Sequence, residues 1–354
     1  MRFFRETVER MESYVPGEQP RDRRTIKLNT NENPYPPSPR VLEALHAAIG
    51  DDLRLYPRPM ADELRERAAR VYGVRPDNVL AGNGSDDLLA MLVKACVGPG
   101  DRIAYPTPTY SLYDTLVALN DGEAVRIPFG KNFALPAEVI TASARLIFLC
   151  NPNSPSGTQI PPDEIRAILQ RPERLVVVDE AYVDFADETC LPLLKEHPNL
   201  VILRTLSKSF SLAGMRIGLA IGAEKVIGTL AKVKDSYNVN RLSIVAGTAA
   251  LRDLRWMEAN VRRIRRTREV LTAGLGELGF EVLPSQANFI LARKRGHDLG
   301  ILYEKLKRRG ILVRHFPTPD LRDSLRVTVG TDEEIRILLR VLEQQMSRED
   351  ERQQ

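Results

Sequence analysis

The sequence predicts an α/β protein with a large domain, built on a mostly parallel sheet of seven strands, and a smaller α+β domain. At 354 residues the chain is too long for one small core. Short apolar runs alternate with helix-like stretches, which favours parallel strands joined by helices. Several runs are entirely apolar, as expected where helices cover both faces of a sheet. We expect the large domain to span residues 30–240, and residues 1–29 and 241–354 to form the smaller one.

The candidate elements follow this plan in chain order. The seven strands of the large domain are expected at residues 79–81, 102–105, 124–127, 146–149, 175–178, 201–203 and 218–221. Helical patterns at 85–97 and 161–169 lie between them. Beyond residue 240 we expect one long helix over 243–278, strands at 289–291, 311–314 and 325–329, and a last helix over 332–345.

Composition and charge exclude several classes of protein. The chain is 43% hydrophobic and 28% charged, with a net charge of +4. Its first 24 residues lack the apolar core of a signal peptide, and no apolar run is long enough for a membrane span. Three separated cysteines have no metal-ligand spacing, and the arginines at 262–268 fit a solvated helix face better than a nucleic-acid site. We expect a cytoplasmic protein with no metal, nucleic-acid or membrane partner.

The most informative segment follows the predicted strand 201–203. Lys208 stands between Ser207 and Ser209, and Arg216 comes eight residues later. A lysine amine can form an imine with an aldehyde, and hydroxyls with a guanidinium can bind a phosphate. The pattern therefore indicates a cofactor that carries both groups, although a single lysine is more often a solvated surface charge.

Three more loops that follow predicted strands carry candidate residues. Asp179 ends an apolar strand, where a carboxylate needs a cation such as a protonated pyridine nitrogen, unless it caps the next helix. Tyr182 could hydrogen-bond a phenolate oxygen on the same ring. The turn at Gly84 opens a helix whose free N–H groups suit a phosphate. Tyr110 could stack on a flat ring or merely pack. Ligands bind where such strands end, so we expect one shared site.

Together these motifs resemble the fold-type-I, pyridoxal-phosphate-dependent aminotransferases. The matching segments, in order and spacing over essentially the whole chain, are residues 84–86, 108–110, 151–157, 179–182 and 207–216. Within that superfamily, residues 28–34 (LNTNENP), 54–57 (RLYP), 204–208 (RTLSK) and 325–331 (LRVTVGT) resemble the histidinol-phosphate aminotransferases.

The resemblance implies the fold-type-I architecture and pyridoxal 5'-phosphate as cofactor. It makes Lys208 the lysine that forms the imine, Asp179 the partner of the pyridine nitrogen, and Tyr182 and Tyr110 contacts of the ring phenolate and the ring face. It also assigns the cofactor phosphate to a group of residues around two turns: Gly84, Ser85, the backbone of Asp86, Ser207 and Arg216.

One position departs from the family pattern. The family usually has Asn-Pro-Thr-Gly where this chain has residues 154–157 (SPSG), and that asparagine donates to the ring phenolate. Ser154 can still donate one hydrogen bond, but it is shorter. Asn153, one residue earlier, is the other candidate for this contact, and the sequence leaves the choice open.

The resemblance implies transfer of the amino group of L-histidinol phosphate to 2-oxoglutarate, a step of histidine biosynthesis. Tyr14, Asn29, Arg314 and Arg326 would bind the substrates, because guanidinium groups bind phosphate and carboxylate alike; either arginine could instead be a surface ion-pair partner. Tyr56 would reach the cofactor of the neighbouring subunit in a homodimer. An aromatic amino-acid aminotransferase, a phosphothreonine-type decarboxylase and a non-catalytic sensor of the cofactor are the alternatives.

Overall fold

The computed structural model describes residues 3–11, 16–20, 22 and 24–353, with side chains up to residue 346. The helices are α1 (Glu6–Arg10), α2 (Pro39–Ala48), α3 (Asp62–Tyr72), α4 (Ser85–Cys96), α5 (Leu112–Leu119), α6 (Glu138–Thr141), α7 (Pro162–Leu169), α8 (Glu224–Leu230), α9 (Arg241–Ala250), α10 (Leu254–Glu277), α11 (Gly300–Arg308) and α12 (Asp332–Gln353). The strands are β1 (Ile26–Lys27), β2 (Val79–Asn83), β3 (Arg102–Thr107), β4 (Glu123–Pro128), β5 (Leu146–Cys150), β6 (Leu175–Asp179), β7 (Leu200–Thr205), β8 (Ile217–Gly222), β9 (Glu281–Val282), β10 (Phe289–Arg293), β11 (Ile311–Leu312), β12 (Arg314–His315) and β13 (Ser324–Thr328).

All seven strands predicted for the large sheet are present, in the order β2-β8-β7-β6-β5-β3-β4. Strands β3 to β7 pair in parallel, and β8 runs antiparallel to both of its neighbours. Central strands such as β5 and β7 are buried along their whole length, because helices cover both faces of the sheet. The predicted α/β fold class is confirmed.

A second sheet is antiparallel, with the order β12-β13-β10-β9, while β1 pairs in parallel with β11. The apolar residues of the antiparallel sheet pack with those of α10, α11 and α12 in one core that includes Leu271, Phe289, Leu306 and Leu338. This core reaches the large sheet through Tyr182 and Phe185, which follow β6. The loops that carry candidate functional residues therefore lie between the two sheets.

Two predicted elements of the C-terminal half are wrong in detail. The single helix over 243–278 is interrupted between α9 and α10, where Asp253 has a non-helical backbone (φ −126°, ψ 59°) and accepts a hydrogen bond from Ser38 at 2.5 Å. The strand over 311–314 is divided at Val313, because β11 pairs with β1 and β12 pairs with β13. Tertiary partners distant in sequence cause both differences.

The predicted domain boundaries stay predictions. The contacts of α9 bear on the second boundary, since Ile244 and Ala246 pack with Leu64 of α3 and Leu219 of β8. A boundary placed after α9, near residue 253, would keep these contacts within one domain. In the part of the chain that the structure describes, no helix is long and apolar enough to cross a membrane.

Candidate active site

A cavity of about 250 Å³ lies where the strands of the large sheet end, facing the second sheet. Loops after β2, β3, β5, β6 and β7 line it, as expected for a ligand site in a doubly wound sheet. Arg216 precedes β8, which is antiparallel and so begins at the same edge. The predicted site residues that line this cavity are Asn29, Ser85, Asp86, Tyr110, Ser154, Asp179, Tyr182, Ser207, Lys208, Arg216, Arg314 and Arg326.

Asp179 is a buried carboxylate without a cationic partner among the described residues. It is 3% exposed, and it accepts hydrogen bonds from the N–H of Ala181 at 3.2 Å and from the hydroxyl of Tyr113 at 3.3 Å. Burial, and then the negative charge of Asp86, raise the pKa of Asp179 to about 7. Both of its hydrogen-bond donors are uncharged, so the free-energy cost of burying the ionised carboxylate is not compensated by an opposite charge. A cation bound in the cavity would lower this cost.

Lys208 places a reactive amine in the same cavity. Its Nζ donates to the carbonyl oxygen of Thr30 at 3.2 Å and lies 5.7 Å from the centre of the Tyr182 ring. Burial, and then the positive charge of Arg326, lower the pKa of Lys208 to about 8. A larger fraction of this amine is therefore neutral near neutral pH than for a solvated lysine, which suits a nucleophile or a general base.

One end of the cavity is built for an anion. Gly84 stands before α4 with φ +88°, a conformation that favours glycine, and a Cβ atom there would come within 2.6 Å of Arg216 Nη2. Ser85 begins α4, whose first N–H groups have no partner within the helix. The Arg216 guanidinium lies 3.4 Å from Ser207 Oγ and 3.3 Å from Asp86 Oδ2. Donors from three loops thus converge on one place.

Two tyrosines also line the cavity. The hydroxyl of Tyr110 donates to Asp86 Oδ1 at 3.1 Å, and its ring meets that of Tyr113 edge to face. The hydroxyl of Tyr182 accepts a hydrogen bond from Asn31 at 3.0 Å. Burial raises the pKa of Tyr182 to about 12, so its hydroxyl keeps its proton and remains able to donate.

Arg326 and Arg314 form the wall that the second sheet contributes. Arg326 donates to Ser154 Oγ and to the carbonyl oxygen of Asn29, both at 3.0 Å, and its guanidinium lies 5.2 Å and 5.6 Å from the ring centres of Phe289 and Phe316. The Arg314 guanidinium also lies near the Phe316 ring, 5.4 Å from its centre. Both guanidinium groups line the cavity. Two cations side by side are suited to anionic substrates.

The structure does not bring every predicted residue into the cavity lining. Gly84 and Asn153 are not part of the lining. Asn153 is 1% exposed; it accepts a hydrogen bond from the Thr109 hydroxyl and donates to the Pro108 carbonyl and to Ser156 Oγ. Of the two candidates for the phenolate contact, Ser154 is therefore the one that faces the cavity. Tyr56 lies elsewhere on the surface, 78% exposed, and Tyr14 lies outside the described residues.

Sequence reasoning missed several residues of this site. Thr30 and Asn31 belong to the segment 28–34, which was recognised without assigning them a role, so a signal for them existed. Tyr113 carries no motif, and only the packing of α5 brings its hydroxyl to Asp179. Phe316 likewise carries no sequence motif, because its contacts with both Arg314 and Arg326 depend on the pairing of β12 with β13.

The residues of the cavity fit pyridoxal phosphate. The uncompensated carboxylate of Asp179 suits a protonated ring nitrogen, and Lys208 suits the aldehyde carbon. The convergent donors of Ser85, Ser207 and Arg216 suit the phosphate.

Comparisons with known proteins identify the family of this chain. The family model "Aminotransferase class I and II" matches residues 23–342. Histidinol-phosphate aminotransferase 1 of Trichormus variabilis is 46% identical over 342 residues, which cover 96% of this chain and 98% of that protein. Histidinol-phosphate aminotransferase of a Synechocystis species is 47% identical over 336 residues, covering 95% and 96%. The crystal structure of histidinol-phosphate aminotransferase from Sinorhizobium meliloti in complex with pyridoxal-5'-phosphate superimposes with a TM-score of 0.89, at 26% identity and 98% coverage of both chains.

Proposed function

We propose that this chain, which belongs to the class I and II aminotransferase family, transfers the amino group of histidinol phosphate to 2-oxoglutarate with pyridoxal phosphate as cofactor. The observation that carries the proposal is a single cavity in which Lys208, Asp179 and two arginines meet. The relatives named histidinol-phosphate aminotransferase, at 46% and 47% identity over nearly the whole chain, support the choice of substrate.

The residues of the large sheet would hold the cofactor and move the proton. When bound, pyridoxal phosphate supplies an aldehyde that takes up the amino group and a ring that accommodates negative charge. Asp179 would keep the ring nitrogen protonated, while Ser85, Ser207 and Arg216 hold the phosphate. Lys208 would remove the proton from the substrate carbon as general base and deliver it again as general acid.

The second sheet would recognise the two substrates in turn. Arg326 would exchange its hydrogen bond with Ser154 for the carboxylate of 2-oxoglutarate, and its contacts with two aromatic rings keep the guanidinium oriented. Arg314 would bind the phosphate end of histidinol phosphate, with Asn29 as a further substrate contact; Tyr14, outside the described residues, stays a predicted one. Ser154 would donate to the ring phenolate in place of the usual asparagine.

A homodimer with shared active sites is part of the proposal. The ring of Tyr56 is 78% exposed and stacks on Tyr237 at 4.3 Å. Leu53, Leu55 and Ile49 are exposed nearby in sequence, and a group of exposed apolar side chains is typical of an interface. Tyr56 would then reach the phosphate in the partner's site. A chain that sediments as a fully active monomer at assay concentration would refute the shared site.

A comparison of three amino donors tests the reaction. Purified protein loaded with pyridoxal phosphate should convert 2-oxoglutarate to glutamate fastest with histidinol phosphate, more slowly with phenylalanine, and release no carbon dioxide from phosphothreonine. Preference for phenylalanine would favour the aromatic amino-acid aminotransferase, and carbon dioxide from phosphothreonine would favour the decarboxylase.

A further inference from the structure

A largely buried group of charged side chains lies beside the cavity, between the loop after β6 and the loop that carries Lys208; only Asp184, with a side chain 21% exposed, is appreciably open to solvent. Its centre is Arg204, the next-to-last residue of β7, with a side chain that is 6% exposed. Arg204 pairs with Glu180 at 2.9 Å and with Asp184 at 3.0 Å. Its guanidinium also lies 5.2 Å from the ring centre of Tyr72. We call Arg204, Glu180 and Asp184 the Arg204 network.

The network is anchored firmly to the strand that ends in Asp179. Glu180 is the next residue, and its fully buried carboxylate accepts from the N–H of Cys190 at 2.6 Å and from Thr189 Oγ1 at 2.9 Å. Thr189 Oγ1 in turn accepts from Arg204 at 2.9 Å. Buried charges that are paired and hydrogen-bonded in this way hold one geometry, since losing a partner leaves a charge uncompensated.

Asp184 connects the network to the loop of Lys208. One carboxylate oxygen accepts from Arg204, and the other accepts from the hydroxyl of Ser209, which directly follows Lys208 and is 2% exposed. From another direction, the side-chain amide of Asn33 donates to the carbonyl oxygens of Lys208 and Ser209 at 3.0 and 3.1 Å. Side chains from two distant segments therefore hold the backbone at Lys208.

We propose that Asp184 is a positioning residue for Lys208, acting through the hydroxyl of Ser209. The inference rests on the proposed role of Lys208 as the amine of the reaction. A lysine side chain is long and flexible, and Nζ donates to one carbonyl, that of Thr30, at 3.2 Å. The place of the amine therefore depends on where its backbone is held. Misplacing a reacting group by about 1 Å can cost on the order of 100-fold in rate.

The sharpest test removes the Ser209 hydroxyl alone. Ser209→Ala is compared with Ser211→Ala, which deletes the same group from the same loop, where Ser211 Oγ is buried without a hydrogen-bond partner. The full-length protein, freed of cofactor by dialysis, is treated with a limiting amine-acylating reagent across a range of pH. Mass spectrometry of the peptide containing residue 208 then gives the pKa of the Lys208 amine.

We expect Ser209→Ala to raise the pKa of Lys208 by roughly half a unit or more, because a displaced amine is better solvated. With cofactor restored, kcat should fall about tenfold while KM for both substrates stays within about twofold. Ser211→Ala should leave the pKa and kcat unchanged. Asp184→Asn should shift the pKa in the same direction, and adding Ser209→Ala to it should shift the pKa no further, since both act through one contact.

Two outcomes would overturn the inference or its premise, and they can be told apart. A lower Tm for Ser209→Ala with an unchanged Lys208 pKa and unchanged kcat would show that the Arg204 network only supports the fold. Borohydride reduction of the cofactor-loaded protein reports on the premise separately. A label on a lysine other than Lys208 would refute its proposed role, whatever the Ser209 variant does.

Discussion

The two walls of the cavity differ in how their charges are satisfied. The wall formed by the large sheet, which we call the large-sheet wall, carries Asp179 and Lys208. Burial is the main cause that raises the pKa of the Asp179 carboxyl to about 7 and lowers the pKa of the Lys208 amine to about 8. On the wall of the second sheet, Arg326 is already held by Ser154, the Asn29 carbonyl and two aromatic rings. On the large-sheet wall, the free-energy cost of burying these two ionisable groups remains, and a bound cofactor would lower it. The second offers hydrogen bonds that can be exchanged, as suits substrates that come and go.

The largest effect should come from the reactive amine of the large-sheet wall. Lys208→Ala is expected to lose transamination by on the order of 10⁴-fold or more, because in the proposed mechanism proton transfer at the substrate carbon passes through this amine. Steady-state kinetics with histidinol phosphate measure it. Lys232→Ala is a matched control, since Lys232 does not line the cavity. Equal losses in the two variants would contradict the proposed role.

The second effect concerns Asp179, the carboxylate proposed to face the ring nitrogen. Asp179→Ala should reduce kcat about 10³-fold, equivalent to roughly 4 kcal/mol of barrier, because the ring nitrogen loses its counter-charge in a buried site. Asp179→Glu should retain more activity than Asp179→Ala. Near-normal turnover of the alanine variant would instead favour a role as a helix cap.

The two walls also differ in what sequence could predict. Lys208, Asp179 and Ser85 each belong to a short sequence segment at the end of a predicted strand. Such a segment predicts both the chemical role of the residue and its location, and all three residues line the cavity. Asn153 shows the limit of such a pattern, because adjacent residues of one loop point in different directions, and only the fold decides that Ser154 faces the cavity. The contact of Tyr113 with Asp179 and the Arg204 network depend on packing between distant segments. No spacing in the chain encodes them.

A third effect separates substrates on the second wall. Arg314→Ala should lose roughly ten- to a hundredfold in kcat/KM for histidinol phosphate, the cost of a charge-assisted bond of about 1.5–3 kcal/mol, and much less for phenylalanine, which has no phosphate. Arg326→Ala should impair both half-reactions, because Arg326 is expected to lie close to the phosphate of histidinol phosphate as well as to bind the carboxylate of 2-oxoglutarate. Arg293→Ala is the control, because this arginine pairs with Asp323 away from the cavity. Equal damage to both donors by Arg314→Ala would make Arg314 structural.

The smallest effect sharpens the comparison without cofactor or substrate. The folded pKa of Asp179 is about 7 against an ordinary 3.8, so between these values the folded state binds more protons than the unfolded state. The free energy of unfolding of the cofactor-free protein should therefore fall as pH rises from about 4 to 7, with a contribution from this group of about 1–3 kcal/mol. The pKa of Lys208, which is lowered from 10.5 to about 8, should have the opposite effect: the free energy of unfolding should rise as pH increases from about 8 to 10.5.

Urea unfolding of the cofactor-free protein at pH 5 and pH 7 measures this difference. Asp179→Asn cannot titrate, so it should lose most of the decline and be more stable than the parent protein at pH 7. Asp187→Asn is the control from the same segment: hydrogen bonds from Gln286 and Arg265 lower the pKa of its exposed carboxyl, so removing it should leave the decline in place. Adding pyridoxal phosphate should stabilise the parent protein more than Asp179→Asn, because a protonated ring nitrogen compensates a charge that the variant no longer has. If the free energy of unfolding of Asp179→Asn falls with pH as much as that of the parent protein, burial of the Asp179 carboxylate does not destabilise the cofactor-free protein. The proposed contrast between the two walls would then be wrong.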